Sequence, residues 1–261
     1  MELSGNTVLI TGGTSGIGLE LAKQLVARGN TVIITGRSQP KLDAAKEKLP
    51  GVHPIQSDAG DPAAIGALYG NVVRDFPSLN VLINNAGIMR KINLQTSGSD
   101  LGTLTREIEI NLVGPILMTA QFLPQLKKQK RAAIVNVSSG LAFVPLAISP
   151  VYSAAKAAIH SFTQSLRLQL KHTNITVFEL APPFVPETSL YQGDMKQSDI
   201  NVKAMTVTKL VEDAIDGIKH DRLEIRPGLS NMLKTMSRIA PNFIVKQLGK
   251  SVDPMLEQAG N

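Results

Sequence analysis

Thr7-Val-Leu-Ile10, then Thr11-Gly-Gly-Thr-Ser-Gly-Ile-Gly18, then a helical stripe and Thr31-Val-Ile-Ile-Thr35 form the stretch that decides the fold. Both apolar runs are short and unbroken, the pattern of strands buried on two faces. Between them Ile17, Leu21 and Leu25 recur every fourth residue, with Ala22 and Val26 alongside, as on one face of a helix. Gly29-Asn30 is a helix stop. Strand, glycine turn, helix and strand in this order give a glycine motif its meaning. Gly12, Gly16 and Gly18 let the backbone turn tightly and approach a pyrophosphate seated on the helix N-terminus. The spacing is G-x-x-x-G-x-G, not G-x-G-x-x-G. Gly12, Thr14, Ser15, Gly16, Ile17 and Gly18 are the candidate contacts.

Working outward, strands and helices keep alternating. Helices are expected over 42–49, 62–75, 101–128, 150–171 and 207–220, and strands over 52–56, 81–84, 132–137, 176–180 and 223–225. Asp61 and Pro62 read as the cap and first-turn proline of one helix. This alternation predicts an α/β fold, a three-layer doubly wound (Rossmann) parallel sheet with helices on both faces. Residues 1–228 are expected to form one dinucleotide-binding and catalytic domain, with a substrate lid at about 184–205. Residues 229–261 read as a helical C-terminal extension, broken at Pro241, that packs on the body or on a partner subunit. Its apolar stripe and its Lys234, Arg238, Lys246 and Lys250 would also suit a membrane-surface helix, a reading set below packing.

With 261 residues, 43% of them hydrophobic, the chain can build a full core in one α/β domain. It has no Cys, which excludes a disulfide scaffold, thiolate chemistry and Cys-ligated zinc. His53, His160, His172 and His220 stand apart without metal-ligand spacing, so no metal is expected. No apolar run reaches the roughly 18 residues of a membrane span, and Met1-Glu-Leu-Ser-Gly5 does not read as a signal peptide. A cytoplasmic location is expected. The formal charge of +6 raises nucleic acid as a partner, but aromatics are 4% and Trp is absent, which leaves few stacking platforms. Lys127-Lys-Gln-Lys-Arg131 falls at a helix end, where cations complement the dipole. The charge better suits an anionic cofactor.

The end of the second strand bears on which cofactor. NAD-type sites present Asp or Glu here to the adenosine ribose. This chain has Gly36 and Arg37. A carboxylate repels a 2′-phosphate, whereas Arg pairs with it bidentately. NADP(H) is therefore favoured over NAD(H). In doubly wound sheets ligands sit outside the carboxyl ends of the strands. Asp58, Asn84-Asn85, Ser139 and the loop after Leu180 fall there with the glycine turn and Arg37, which argues for one site.

Tyr152-Ser-Ala-Ala-Lys156 adds chemistry. Its Tyr and Lys are four residues apart and lie one above the other on a helix face. A lysine cation about 4.5 Å from a phenolate, at an effective dielectric near 20, stabilises it by roughly 3–4 kcal/mol. That is about 2–3 pK units, enough to tune a phenol toward working pH as an acid/base.

Together with Thr11-Gly12-x-x-x-Gly16-x-Gly18, Asp58, Asn84-Asn85-Ala86-Gly87, Asn111 and Ser138-Ser139, this pair makes the chain resemble the short-chain dehydrogenase/reductase family over nearly its whole length. Ser139 precedes Tyr152 by 13 residues, the family's usual interval. Locally, Ala181-Pro182-Pro183 in place of the usual Pro-Gly resembles a bacterial oxidoreductase branch named after the teichoic-acid D-alanylation operon. That gene-neighbourhood label establishes no substrate.

The resemblance implies an NADP(H)-dependent oxidoreductase of carbonyl reductase or alcohol dehydrogenase type. Tyr152 would be the general acid/base, and Lys156 would lower its pKa and hold the nicotinamide ribose. Ser139 would hydrogen-bond the substrate oxygen, and Asn111 would hold a relay water. Asp58 and the Ala59 amide would meet adenine, and Asn85, Ala86 and Gly87 the adenosine ribose. Pro182, Val185 and Thr188 would approach the nicotinamide; Pro183 departs from the family, lacking both glycine's freedom and an amide donor, and Thr188 is displaced by one residue. The expected substrate contacts are Leu141, Val144, Phe184 and Tyr191, which suit a hydrophobic ketone, aldehyde or secondary alcohol. Arg90 or Lys91 would read an anionic group if not simply solvated. The resemblance also implies a homodimer or homotetramer associating through the helices at 101–128 and 150–171. A catalytically idle NADP-binding sensor or scaffold is the alternative; the intact Ser139, Tyr152 and Lys156 argue against it.

Overall fold

The computed structural model describes residues 1–95, 101–192 and 204–253, with the backbone alone at Leu101, Tyr191, Gln192 and Ser251. The strands are β1 (Thr7–Ile10), β2 (Thr31–Gly36), β3 (Val52–Gln56), β4 (Leu79–Asn84), β5 (Met89–Arg90), β6 (Ala132–Val137), β7 (Ile175–Leu180), β8 (Tyr191–Gln192) and β9 (Glu224–Ile225). The helices are α1 (Gly16–Val26), α2 (Gln39–Lys48), α3 (Pro62–Asp75), α4 (Leu101–Leu104), α5 (Arg106–Ile108), α6 (Gly114–Lys127), α7 (Pro150–Gln169), α8 (Val207–Lys219), α9 (Leu229–Ile239) and α10 (Pro241–Gly249).

Seven strands form one parallel sheet in the order β3-β2-β1-β4-β6-β7-β9. Its side chains alternate between two cores, as the strand period requires. Val8, Ile10, Val32 and Ile34 pack under α1, α2 and α8, while Leu9, Ile33, Leu82 and Ile134 pack under α3, α6 and α7. Leu9 is fully buried, which stabilises the fold by about 2–3 kcal/mol. The doubly wound fold expected from the sequence is thus present. Strand order reverses between β1 and β4, and a crevice opens there at the carboxyl ends. A buried polar chain crosses beneath it. Asn84 Nδ2 donates to Asn136 Oδ1 at 2.9 Å, and Asn136 Nδ2 donates to Thr163 Oγ1 at 2.9 Å.

The single helix expected over 101–128 is broken. Between α5 and α6 the chain makes a π turn at Glu109–Val113. Asn111, fully buried, turns inward there: its Oδ1 accepts the Ile88 amide at 3.0 Å and its Nδ2 donates to the Ile88 carbonyl at 2.8 Å. Gly114 then presses so closely on Ala59 that a Cβ would overlap the Ala59 carbonyl oxygen. The wider turn accommodates both contacts, as π-bulges do. The sequence also gave no sign of the short parallel ladder between β5 and β8. Among the described residues no helix is long and apolar enough to cross a membrane.

Candidate active site

The glycine turn is built as its residues require. Gly12 and Gly16 have φ of +67° and +53°, where a side chain is strained. A Cβ on Gly12 would lie 2.9 Å from Ala86 Cα, and one on Gly18 would overlap the Gly12 carbonyl oxygen. Gly18 therefore serves the packing of α1 on the turn and does not line the cavity. Thr11 Oγ1 accepts the amides of Asn85 and Ala86, each at 3.0 Å, and Asn85 Nδ2 donates to Thr11 O at 2.9 Å. The turn and the Asn85-Ala86 segment form one braced unit.

A cavity of about 800 Å³ runs along this crevice. Thr14, Ser15, Gly16 and Ile17 line its centre, with Gly12, Asn85, Ala86 and Gly87 alongside. Arg37, Asp58 and Ala59 line one end, and Ser139, Tyr152 and Lys156 the other. Two polar residues at the Arg37 end, Ser38 and Lys41, were missed from the sequence. Lys41 lies in the first turn of α2, four residues after Arg37, and its positive charge so near Arg37 in sequence was the available signal. Asp58 is held rather than loose: Oδ1 accepts the Gly60 amide at 2.8 Å and Oδ2 pairs with Arg106 at 2.9 Å.

At the other end, Ser139 caps the 3₁₀ turn Gly140–Ala142, its Oγ accepting the Leu141 amide at 3.1 Å. A hydroxyl has one proton to give and two lone pairs, so this bond leaves the proton for another acceptor. Tyr152 and Lys156 project from α7, and both are buried. Lys156 Nζ donates to the Val137 carbonyl at 2.9 Å and lies 5.6 Å from the centre of the Tyr152 ring. Burial pushes the Lys156 amine down from 10.5 to about 8. Asn111 does not line the cavity; a Cβ at Gly87 would sit 2.8 Å from its Oδ1 and 3.7 Å from Lys156 Nζ. Gly87 thus gives these two side chains room to approach the same backbone.

Pro182, Val185 and Thr188 line the cavity beside the glycine turn. Thr188 packs 3.2 Å from where a Gly16 Cβ would be, Ser189 Oγ bonds Ser15 Oγ, and the Met89 amide donates to Leu190 O at 2.9 Å. The segment before β8 is therefore fastened to the turn. Of the expected substrate contacts, Leu141 and Phe184 line the cavity. Val144 is fully buried and does not. The Tyr191 side chain and residues 193–203 of the lid segment lie outside the described residues. The apolar wall was larger than foreseen. Met89, Leu146 and Ile148 cluster with Tyr152, while Met232 and Leu233 of α9 and Ile244 of α10 extend the wall.

Arg90 is not available to a ligand. Its Nε lies 3.6 Å from fully buried Glu107, and its guanidinium donates to Thr103 O at 2.7 Å. Burial pushes the Glu107 carboxyl up, against the hydrogen bonds and charge of Arg90. His160 is isolated in sequence but not in space: His160, Glu179 and Glu224 bring ligand atoms within 4.8 Å of one another. Glu224 is already paired with Lys234 and, at 3.3 Å, with Arg226. Burial raises its carboxyl, but Lys234, Arg226 and His160 hold it below the usual range.

The short chain dehydrogenase family model matches residues 6–199, and the chain belongs to that family of oxidoreductases. It is 46% identical over 248 residues to the Bacillus subtilis (strain 168) protein named uncharacterized oxidoreductase DltE, covering 95% of this chain and 98% of that one. Among solved structures it is similar to a Burkholderia cenocepacia short chain dehydrogenase in complex with NADP, with a TM-score of 0.81 at 23% identity over 95% and 99% of the two chains, a likeness of fold. It is also similar to a Sphingobium yanoikuyae short-chain dehydrogenase in complex with NADPH, with a TM-score of 0.77 at 27% identity over 93% of each chain.

Proposed function

We propose that this oxidoreductase uses NADP(H) to reduce the carbonyl of a ketone or aldehyde with a hydrophobic body, or to oxidise the corresponding alcohol, with Tyr152 as general acid/base. The observation that carries this reading is that Ser139, Tyr152 and Lys156 share one cavity with the glycine turn. The residues fit a nicotinamide dinucleotide. Gly12 and Gly16 leave the backbone open to a pyrophosphate at the start of α1, and Asp58 and Ala59, which line the cavity, would meet an adenine edge. Arg37, Ser38 and Lys41 suit a 2′-phosphate. A side chain at Gly36 would meet Thr14 Cγ2 at 2.8 Å, which disfavours the carboxylate of an NAD-type site there.

The bound cofactor supplies or takes up the hydride. Tyr152 gives its phenolic proton to the carbonyl oxygen in reduction and recovers it in oxidation. Ser139, with its lone pair engaged by Leu141, donates its hydroxyl proton as a hydrogen bond to that oxygen. Lys156 holds the phenolate that remains and the nicotinamide ribose. Asn111 fixes the backbone at Ile88, next to Gly87, through two hydrogen bonds. The apolar wall from Leu141, Phe184 and α9–α10 excludes water and selects a hydrophobic body.

The test is a panel of ketones and aldehydes with NADPH, read as loss of reduced-nicotinamide absorbance. Tyr152→Phe should lower turnover by about 10²–10⁴-fold while NADPH still binds. Turnover that survived this change would overturn the assignment of the acid.

A further inference from the structure

Behind Ser139 lies a buried charged cluster that the reaction does not use directly. Glu179, at the end of β7, is fully buried. Ser138 Oγ donates to Glu179 Oε1 at 2.5 Å, and His160 Nδ1 lies 2.9 Å and 2.8 Å from its two oxygens. The other ring nitrogen, Nε2, is 2.9 Å from Gln164 Nε2. With Gln164 donating there, the partners assign the ring proton to Nδ1, which donates it to Glu179. A buried carboxylate is costly unless its oxygens are satisfied, and both are.

The position of this pair gives it a second consequence. His160 stands one turn beyond Lys156 on α7, so Tyr152, Lys156 and His160 share a face. The same imidazole meets Phe143 edge-on, with ring centres 5.0 Å apart and planes at 84°. Lys234 of α9 lies 5.3 Å from the centre of the Phe143 ring and pairs with Glu224, which is opposite Glu179 in the β7–β9 register. The segment from Ser138 to Phe143 is therefore gripped at both ends by one histidine, through Glu179 at Ser138 and directly at Phe143. Ser139 lies between the two grips, and Gly140 N bonds Pro182 O at 2.8 Å.

We propose that His160 and Glu179 are positioning residues that brace the Ser138–Phe143 segment against α7 and so set the Ser139 hydroxyl relative to Tyr152. The inference rests on the roles proposed above for Ser139 and Tyr152. His160→Leu removes the donor and keeps the bulk; His160→Asn keeps a donor near the Nδ1 position.

The experiment measures steady-state reduction with NADPH, NADPH affinity, and hydrogen exchange of the Leu141, Ala142 and Phe143 amides. The brace predicts that His160→Leu lowers kcat by about 10- to 100-fold with NADPH affinity unchanged. His160→Asn should recover most of the loss. In a Ser139→Ala background, His160→Leu should cost nothing further, because the two act as one unit. The three amides should exchange faster in His160→Leu, while those of the glycine turn do not. Multiplying losses in the double variant, or unchanged exchange of the three amides, would overturn the brace. If the wild-type protein reduces no carbonyl compound, the hydride-transfer reading fails by itself and amide exchange alone decides the brace. Should His160→Leu fail to fold, Glu179→Gln takes its place in both measurements with the same expectations.

Discussion

Ser139 Oγ accepts the Leu141 amide at 3.1 Å, so the hydroxyl that shares the cavity with Tyr152 is held by the backbone that follows it. An oriented donor aimed at developing negative charge is worth about 10²–10³ in rate. Ser139→Ala should lower kcat by that factor and leave NADPH affinity within about twofold. Steady-state kinetics and cofactor fluorescence measure both quantities. A Ser139→Ala enzyme with unimpaired kcat would remove the serine from the mechanism.

Lys156 gives the cofactor-free protein a pH signature. Burial lowers its amine from 10.5 to about 8. Between those values the unfolded chain still holds this proton and the folded chain has released it. Stability therefore rises with pH across that window. Below about 8 both states are protonated, and the folded state carries the whole cost of a buried cation, on the order of 3 kcal/mol. Lys156→Met should be more stable than wild type at pH 7 and should lose this rise. Urea midpoints across the window check it; parallel curves for the two proteins would contradict it.

The glycines of this chain are not equivalent. At Gly18 a methyl group would overlap the Gly12 carbonyl oxygen, a backbone atom that cannot swing aside. Gly18→Ala should destabilise by about 1–3 kcal/mol and weaken NADPH binding by distorting the turn. Gly66 in α3 has nothing within 4 Å of its Cβ position, and Gly66→Ala should stabilise by about 0.5–1 kcal/mol. Thermal melts would separate the two.

Arg37 and Lys41 line the same end of the cavity. Arg37→Asp should weaken NADPH by about 10- to 100-fold with NADH little changed, and Lys41→Ala should act in the same direction with smaller effect. Equal effects on both dinucleotides would exclude a 2′-phosphate subsite here.

Lys91 and Lys250 line the cavity, and among the described residues neither belongs to an ion pair. Of two ketones differing only in a distal carboxylate, the acid should show the lower KM, by about 3- to 10-fold at low salt. The advantage should vanish in the Lys91→Ala, Lys250→Ala double variant. An unaltered preference in that variant would show that the lysines do not read the carboxylate.

Local patterns made much of this molecule legible. The strand periods, the Gly12–Gly18 turn, the Asp61-Pro62 helix start and the Tyr152–Lys156 spacing each depend on residues near one another in sequence. What stayed hidden depends on partners brought together by the sheet. The π turn at Asn111 exists because its side chain bonds Ile88, 23 residues earlier. His160 meets Glu179 only because β7 lies beside α7, and Arg90 meets Glu107 only once β5 is in place. Val144 follows Leu141 and Phe143 in an irregular segment without a period, and composition could not tell the wall from the core behind it.

The apolar wall from α9 and α10 enters the site from the far end of the chain, while Ser139, Tyr152 and Lys156 come from its middle. Replacing Met232, Leu233 or Ile244 can therefore reshape the chamber while Ser139, Tyr152 and Lys156 stay as they are. Lys234, one residue on, lacks that freedom, since it caps Phe143 and neutralises Glu224. Within a single helix, some positions are open to evolutionary drift in the shape of the chamber and their neighbour is anchored to Phe143 and Glu224.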